Sequence, residues 1–246
     1  MRIFANCKEA IKETERDLFE MGITVHPQTM QDKIVKDNPK YKTLELSPYG
    51  FQIVEGGQKD KQEFIGYLFE SAASRIISWA DAEFSERILK YQRPNIPNGA
   101  LNPGKAWELR ADIWSEYIHN EHFAYSYAER FGEQLARAVH ELQVRPESRQ
   151  VIMQMYNYGL DQRHWGATAR VPCSLNYQFL IRENRLSMIY TMRSNDFLTF
   201  FSTDNYMAML MQEFVAKEVE VELGRYTFFT GSLHAYHKDM EKRGIF

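Results

Sequence analysis

The spacing of apolar positions changes along the chain, and the change separates helices from strands. Residues 5–21 place Ala10, Ile11, Leu18 and Phe19 on one face of a 3.6-residue repeat, which predicts an amphipathic helix with Gly22 as its C-cap. Residues 60–92 read as helical with a break. Residues 126–142 predict a further amphipathic helix with Tyr127, Phe131, Leu135, Val139 and Leu142 inward, ended by Arg145-Pro146-Glu147-Ser148. Strand-like runs occupy 43–46, 50–54, 150–156, 174–182, 186–193 and 225–231, with a helix at 204–218 between the last two. The runs at 174–182 and 186–193 are joined by Arg182-Glu183-Asn184-Arg185 and predict a hairpin. Residues 32–42 are polar and basic, with a turn at Asn38-Pro39. Residues 92–105 hold three prolines and two glycines and read as a long loop, an insertion within one domain spanning 1–246. Helices come early and strands and helices mix later. That order predicts an α+β fold with a central, mostly contiguous sheet flanked by helices.

Composition excludes more than it selects. The chain is 44% apolar and 26% charged with a net charge of −3, ordinary for a globular protein of 246 residues. That charge gives no reason to expect a nucleic acid polymer as partner, whereas a single nucleotide phosphate needs only a few local cations. Cys7 and Cys173 form neither a disulfide framework nor a zinc-ligand spacing, so no metal is expected and a reducing cytoplasm is the simplest compartment. The N-terminal 22 residues are charged throughout, unlike a signal peptide. No apolar run approaches the roughly 20 residues that span a membrane.

Candidate chemistry gathers in three segments: Val171-Pro172-Cys173-Ser174, Met192-Arg193-Ser194-Asn195-Asp196, and Gly231-Ser232-Leu233-His234-Ala235-Tyr236. Each alone has a plain structural reading: an inert buried cysteine, a solvated turn, two residues on one strand face. Together, with Cys173 and Arg193 20 residues apart, they resemble the thymidylate synthase family, which carries Pro-Cys, Arg-Ser-x-Asp and Gly-x-x-His-x-Tyr in this order. Arg145-Pro146-Glu147-Ser148-Arg149 is similar to the family's Pro-Asp-Ser-Arg-Arg segment, and Ile113-Trp114-Ser115-Glu116-Tyr117 to its Ile-Trp-Asp-Glu-Trp segment. The resemblance runs from about residue 83 to 240.

The resemblance implies the family fold, a homodimer joined through its sheet with shared active sites, and one-carbon transfer to C5 of a pyrimidine deoxynucleotide. C5 is a poor nucleophile until a thiolate adds to C6, and a nearby cation favours the thiolate. Cys173 is the implied nucleophile, with Arg193 beside it and on the phosphate. Ser194 would bind the same phosphate, and Arg149 the phosphate in the partner subunit. The family's second arginine is replaced here by Gln150. His234 and Tyr236 would hold the ribose 3′-hydroxyl, since alternation along a strand puts both on one face. Asp196 and Trp114 would contact the cofactor, implied to be 5,10-methylenetetrahydrofolate. For the general acid/base, counting back from the Ile-Trp segment reaches Gln92; with an insertion of about six residues it reaches Glu86, and Glu83 is its rival. Lys40 and Lys42 are candidates for a phosphate loop.

Asp204 bears on the base. It lies 11 residues after Arg193, where thymidylate synthases carry an asparagine facing the pyrimidine. A carboxylate cannot donate to O4 of uracil, but it accepts from the 4-amino group of cytosine, and when protonated it also addresses N3. Aspartate here, and a small hydroxyl residue such as Ser174 after the cysteine, resemble the phage deoxycytidylate hydroxymethylase. The plain alternative is that Asp204 caps the helix that follows. Ten residues follow Tyr236, fewer than in thymidylate synthases, which suits hydroxymethylation, where water ends the reaction. The expectation is therefore a dCMP 5-hydroxymethylase, cytoplasmic in a bacterial host if phage-encoded. A dUMP methylase or hydroxymethylase and a non-catalytic nucleotide binder are the alternatives.

Overall fold

The structure, a computed structural model, describes residues 1–245. Twelve strands form among the described residues: β1 (Arg2–Phe4), β2 (Ile23–Val25), β3 (Thr29–Met30), β4 (Lys33–Ile34), β5 (Thr43–Leu46), β6 (Tyr49–Ile53), β7 (Ile152–Gln154), β8 (Ser174–Arg182), β9 (Arg185–Met192), β10 (Asn195–Asp196), β11 (Glu222–Thr230) and β12 (Leu233–Tyr236). The α-helices are α1 (Cys7–Met21), α2 (Gln62–Phe69), α3 (Ala73–Arg87), α4 (Leu89–Gln92), α5 (Ala111–Trp114), α6 (Tyr127–Phe131), α7 (Gln134–Val144), α8 (Tyr158–Asp161), α9 (Ser202–Glu218) and α10 (His237–Lys242).

A mixed six-stranded sheet of order β1-β6-β11-β9-β8-β7 is the centre of an α+β fold. A four-stranded sheet of order β10-β12-β5-β2 stands beside it, and β3 and β4 make a small hairpin. The β8–β9 hairpin forms as the pattern predicts, with Glu183 (φ 50°) and Asn184 (φ 56°) both left-handed, the two-residue turn that matches strand twist. One face of the main sheet is dry: Tyr177, Phe179, Met188, Tyr190, Tyr226 and Phe228 are buried against α9, α1 and α7. The other face carries Gln178, Leu180, Ile189, Thr191, Thr227 and Phe229, in register across three strands and only partly covered. The small elements β1, β2 and β10 were invisible to periodicity because two or three residues hold no repeat.

One expectation changes, and two hold with detail added. The helix read at 126–142 is two helices, broken at Gly132 (φ 43°), with a capping box between Ser126 and Glu129 starting the first. The helical stretch 60–92 breaks at Glu70, φ 44°. Gly22 ends α1 in an extended rather than a left-handed conformation; a Cβ there would strike Leu18 O and the Leu44 side chain, so close approach explains the glycine. Among the described residues, no helix is long and apolar enough to cross a membrane, and no cluster of His, Cys, Asp and Glu could hold a metal.

Candidate active site

The spacing of 20 residues between Cys173 and Arg193 is the length of a hairpin. Cys173 immediately precedes β8, Arg193 immediately follows β9, and Ser174 pairs with Met192 across the two strands. The two ends therefore lie side by side, and Arg193 N donates to Cys173 O at 2.8 Å. The Arg193 guanidinium locks the cysteine loop: Nε donates to Pro172 O at 2.9 Å, Nη2 to Val171 O at 3.0 Å, and Nη1 to Ser194 Oγ at 3.0 Å. Ser194 Oγ lies 3.8 Å from Cys173 Sγ. The charge of Cys173, first among its neighbours, holds the Arg193 guanidinium above its usual range.

The third segment arrives through the second sheet. β10 runs parallel to β12, pairing Asn195 with Leu233 and Asp196 with His234. Leu233 and Ala235 point into the core, so His234 and Tyr236 share the other side, as strand alternation requires. Both line a cavity of about 510 Å³ together with Cys173, Arg193, Ser194, Asp196, Asp204 and Trp114. Burial pushes the His234 imidazole down to about 4, leaving a neutral ring at neutral pH, and pushes the Tyr236 hydroxyl up.

Two carboxyls in the cavity are unusual. Asp196 caps the turn after β10, accepting from Leu198 N at 3.2 Å, and burial pushes its carboxyl up to about 6. Asp204 stands in the first turn of α9 and makes no side-chain cap among the described residues; its Oδ2 instead accepts from Asn195 Nδ2 at 2.8 Å. Burial raises it to about 7, opposed by the Arg87 cation and the Asn195 bond. A carboxyl that exchanges its proton near neutral pH is a feature of working sites more than of structural ones.

Helix α3 brings both candidate glutamates to the cavity wall. Glu86 accepts from the backbone N–H of Lys105 and of Ala106 (2.8 Å), which ties it to the end of the Pro/Gly-rich loop. A Cβ on Gly104 would collide with the Glu86 carboxyl, so a side chain there would displace the carboxyl from this position. Burial raises Glu86 above the carboxylate range. Glu83 is held by Arg87 Nε at 3.1 Å. Arg149 is exposed and, like Lys42, does not line the cavity. Its carbonyl accepts from Gln178 Nε2 at 3.2 Å, which places it beside the uncovered face of the main sheet.

Sequence reasoning missed several residues of this cavity. Asn195 was the unassigned position of Arg-Ser-x-Asp, yet it holds Asp204. Arg87, buried and 4.6 Å from the Tyr127 ring centroid, is the charge that opposes the rise of Asp204; its i,i+4 spacing from Glu83 was a visible signal. Gln31, in the β3–β4 turn, points Nε2 at Cys173 Sγ (3.6 Å) from 142 residues away, and Tyr127 OH accepts from Ser174 N at 3.2 Å. Arg170, three residues before the cysteine, also lines the cavity.

A family model described as thymidylate synthase matches residues 78–244, more than half of the chain. A Methanocaldococcus jannaschii protein that bears the thymidylate synthase name is 30% identical over 126 residues, 51% of this chain and 57% of that protein. A Coxiella burnetii thymidylate synthase is 29% identical over 110 residues, covering 44% and 40% of the two chains. The chain thus spans about half the length of the curated relatives it matches. Among solved structures, the thermostable thymidylate synthase A from Bacillus subtilis superposes with a TM-score of 0.60 at 16% identity, covering 97% of this chain and 82% of that one, a likeness of fold. The match over residues 78–244 includes every segment that builds the cavity around Cys173 except residues 27–31 and β5, and this chain belongs to the thymidylate synthase family.

Proposed function

We propose that the chain is a deoxycytidylate 5-hydroxymethylase, akin to the phage enzyme, converting dCMP to 5-hydroxymethyl-dCMP. The observation that carries this reading is Asp204, held at 2.8 Å by Asn195 in the cavity of Cys173 and raised to about 7. With its proton it donates to N3 of cytosine and accepts from the 4-amino group; without it, it still accepts from the amino group but repels O4 of uracil. Cys173 adds to C6, making a C–S bond and moving the ring electrons to C5. Arg193 and Ser194 hold the phosphate and keep the cysteine loop in place. His234 and Tyr236 orient the ribose. Glu86, its proton affinity raised by burial, takes the C5 proton and serves the water that adds to the new exocyclic carbon. Breaking the C6–S bond returns the thiolate.

The residues fit a folate. Trp114 offers an aromatic face and Asp196 a buried carboxyl suited to a ring N–H, both on this cavity. When bound, 5,10-methylenetetrahydrofolate would supply the carbon to C5 as an electrophile and depart as tetrahydrofolate, leaving the exocyclic carbon to which water adds. The partly covered sheet face, with Ile152 and Phe229 both more than 40% exposed, supports a homodimer formed through the sheet. Arg149 at the margin of that face then reaches the partner's phosphate. The chain is read as one domain, with 92–105 an insertion whose end buttresses Glu86. The nucleotide and folate are small-molecule partners, and the cytoplasm is the compartment this reading implies.

The test is release of tritium from C5-labelled dCMP and dUMP, each with and without methylenetetrahydrofolate, followed by the product mass. Folate-stimulated release from dCMP with a hydroxymethyl product is expected. Release from dUMP alone overturns the cytosine reading and leaves the nucleophile; release from neither favours a nucleotide binder without turnover.

A further inference from the structure

Arginines in this cavity are committed, with one exception. Arg193 donates to two carbonyls and a hydroxyl, and Arg87 is paired with Glu83. Arg170 has no hydrogen bond or ion pair among the described residues, and its Nε is buried without an acceptor. Its guanidinium carbon lies 4.8 Å from the Trp114 ring centroid, 4.5 Å from Tyr117 and 5.4 Å from Tyr125. Aromatic faces stack on the flat of a guanidinium and fix its plane, but they leave its edge donors unmet. A planar, pre-oriented fork with empty donors is the geometry that takes an oxyanion bidentately. Arg170 also stands close to the phosphate residues: Arg193 holds the carbonyl of the next residue, Val171, and both cations act on the Tyr125 hydroxyl.

We propose that Arg170 is an oxyanion-binding residue of the cavity, its fork presented by Trp114, Tyr117 and Tyr125 to a phosphate or carboxylate of a bound ligand. It rests on the reading of the cavity as a nucleotide and folate site. The anion has two sources there, the nucleotide phosphate or the carboxylates of the folate glutamate. A phosphate role would supply a cation to a clamp in which residue 150 is glutamine.

Calorimetric titration of wild type, R170Q and R170K decides between them, with cooperative thermal unfolding as the check on folding. The ligand pairs are dCMP against deoxycytidine, dUMP against deoxyuridine, and tetrahydrofolate against its analogue lacking glutamate; inorganic phosphate is the small probe. R170Q is expected to weaken the charged member of one pair by roughly ten- to hundredfold and leave the uncharged member unchanged, with R170K recovering part of the loss. Loss confined to the monophosphates, with weaker inorganic phosphate binding, identifies the phosphate. Loss confined to tetrahydrofolate identifies the carboxylate. Equal factors within every pair, or no change in any, overturn the proposal. A wild type that prefers dUMP overturns the base reading alone, since the dUMP pair still tests Arg170, and a folded wild type that binds no anion in the set overturns both.

Discussion

At the scale of single residues, substitutions at Cys173 and Asp204 test the proposed chemistry and the proposed base recognition separately. Cys173→Ala removes the only nucleophile proposed, so C5 tritium release is expected to fall to background while dCMP still binds; retained release would exclude the covalent route. Asp204→Asn replaces an acceptor by a group that also donates, and preference should move toward dUMP by about one to two orders of magnitude in relative kcat/KM, the weight of a hydrogen bond to a buried polar edge. The proton on Asp204 adds a pH signature. Deprotonation near pH 7 removes the donor to N3 of cytosine, so the dCMP affinity of wild type relative to D204N should fall as pH increases through about 7. The same group links to stability. Its folded value is raised above that of an unfolded carboxyl, so its contribution is complete below about pH 4 and is lost as pH rises through about 7. D204N should therefore gain in melting temperature relative to wild type at pH 8 compared with pH 4; an equal difference at both would mean that folding does not raise the proton affinity of Asp204. The identity of Asp204 could be read from its distance to Arg193. Its partner Asn195 could not, because the bond joins the end of one strand to the first turn of a helix.

At the scale of elements, the β8–β9 hairpin and α3 position the chemistry. The hairpin was legible: alternation marked both strands, and two turn residues in between set a register that returns Arg193 to Cys173. The glutamate was less so. Both Glu83 and Glu86 reach the cavity from one helix, and only the contact with residues 104–106 distinguishes Glu86. Gly104→Ala is expected to push the Glu86 carboxyl aside, lowering C5 exchange by roughly tenfold or more, the scale of general acid/base catalysis, with little change in nucleotide affinity. Unchanged exchange in a folded G104A would transfer the role to Glu83. The single helix read at 126–142 failed because Gly132 lies within an otherwise amphipathic run, where periodicity continues across the left-handed residue that divides it.

At the scale of the whole molecule, the partly covered sheet face and the exposed Arg149 are where the proposed homodimer is tested. Ile189→Lys, on that face, is expected to give a folded monomer with little activity. Mixing inactive C173A with inactive R149Q should restore activity of roughly a quarter of wild type, because a random half of the pairs is mixed and each mixed dimer assembles one site of two with both residues intact. Sedimentation and C5 tritium release measure the two effects, and failure of the mixture to recover would place Arg149 outside the partner's site. Chain order alone was enough for the family, the hairpin and the α+β class, because these rest on local spacing and on short-range periodicity. The tertiary structure decided the rest: that Gln31 meets Cys173 across 142 residues, that Asn195 holds Asp204, that Arg170 stands uncommitted among three rings, and that Arg149 lies outside the cavity lining. Those contacts join segments far apart in sequence, and burial, which moves their proton affinities, exists only once the segments have packed.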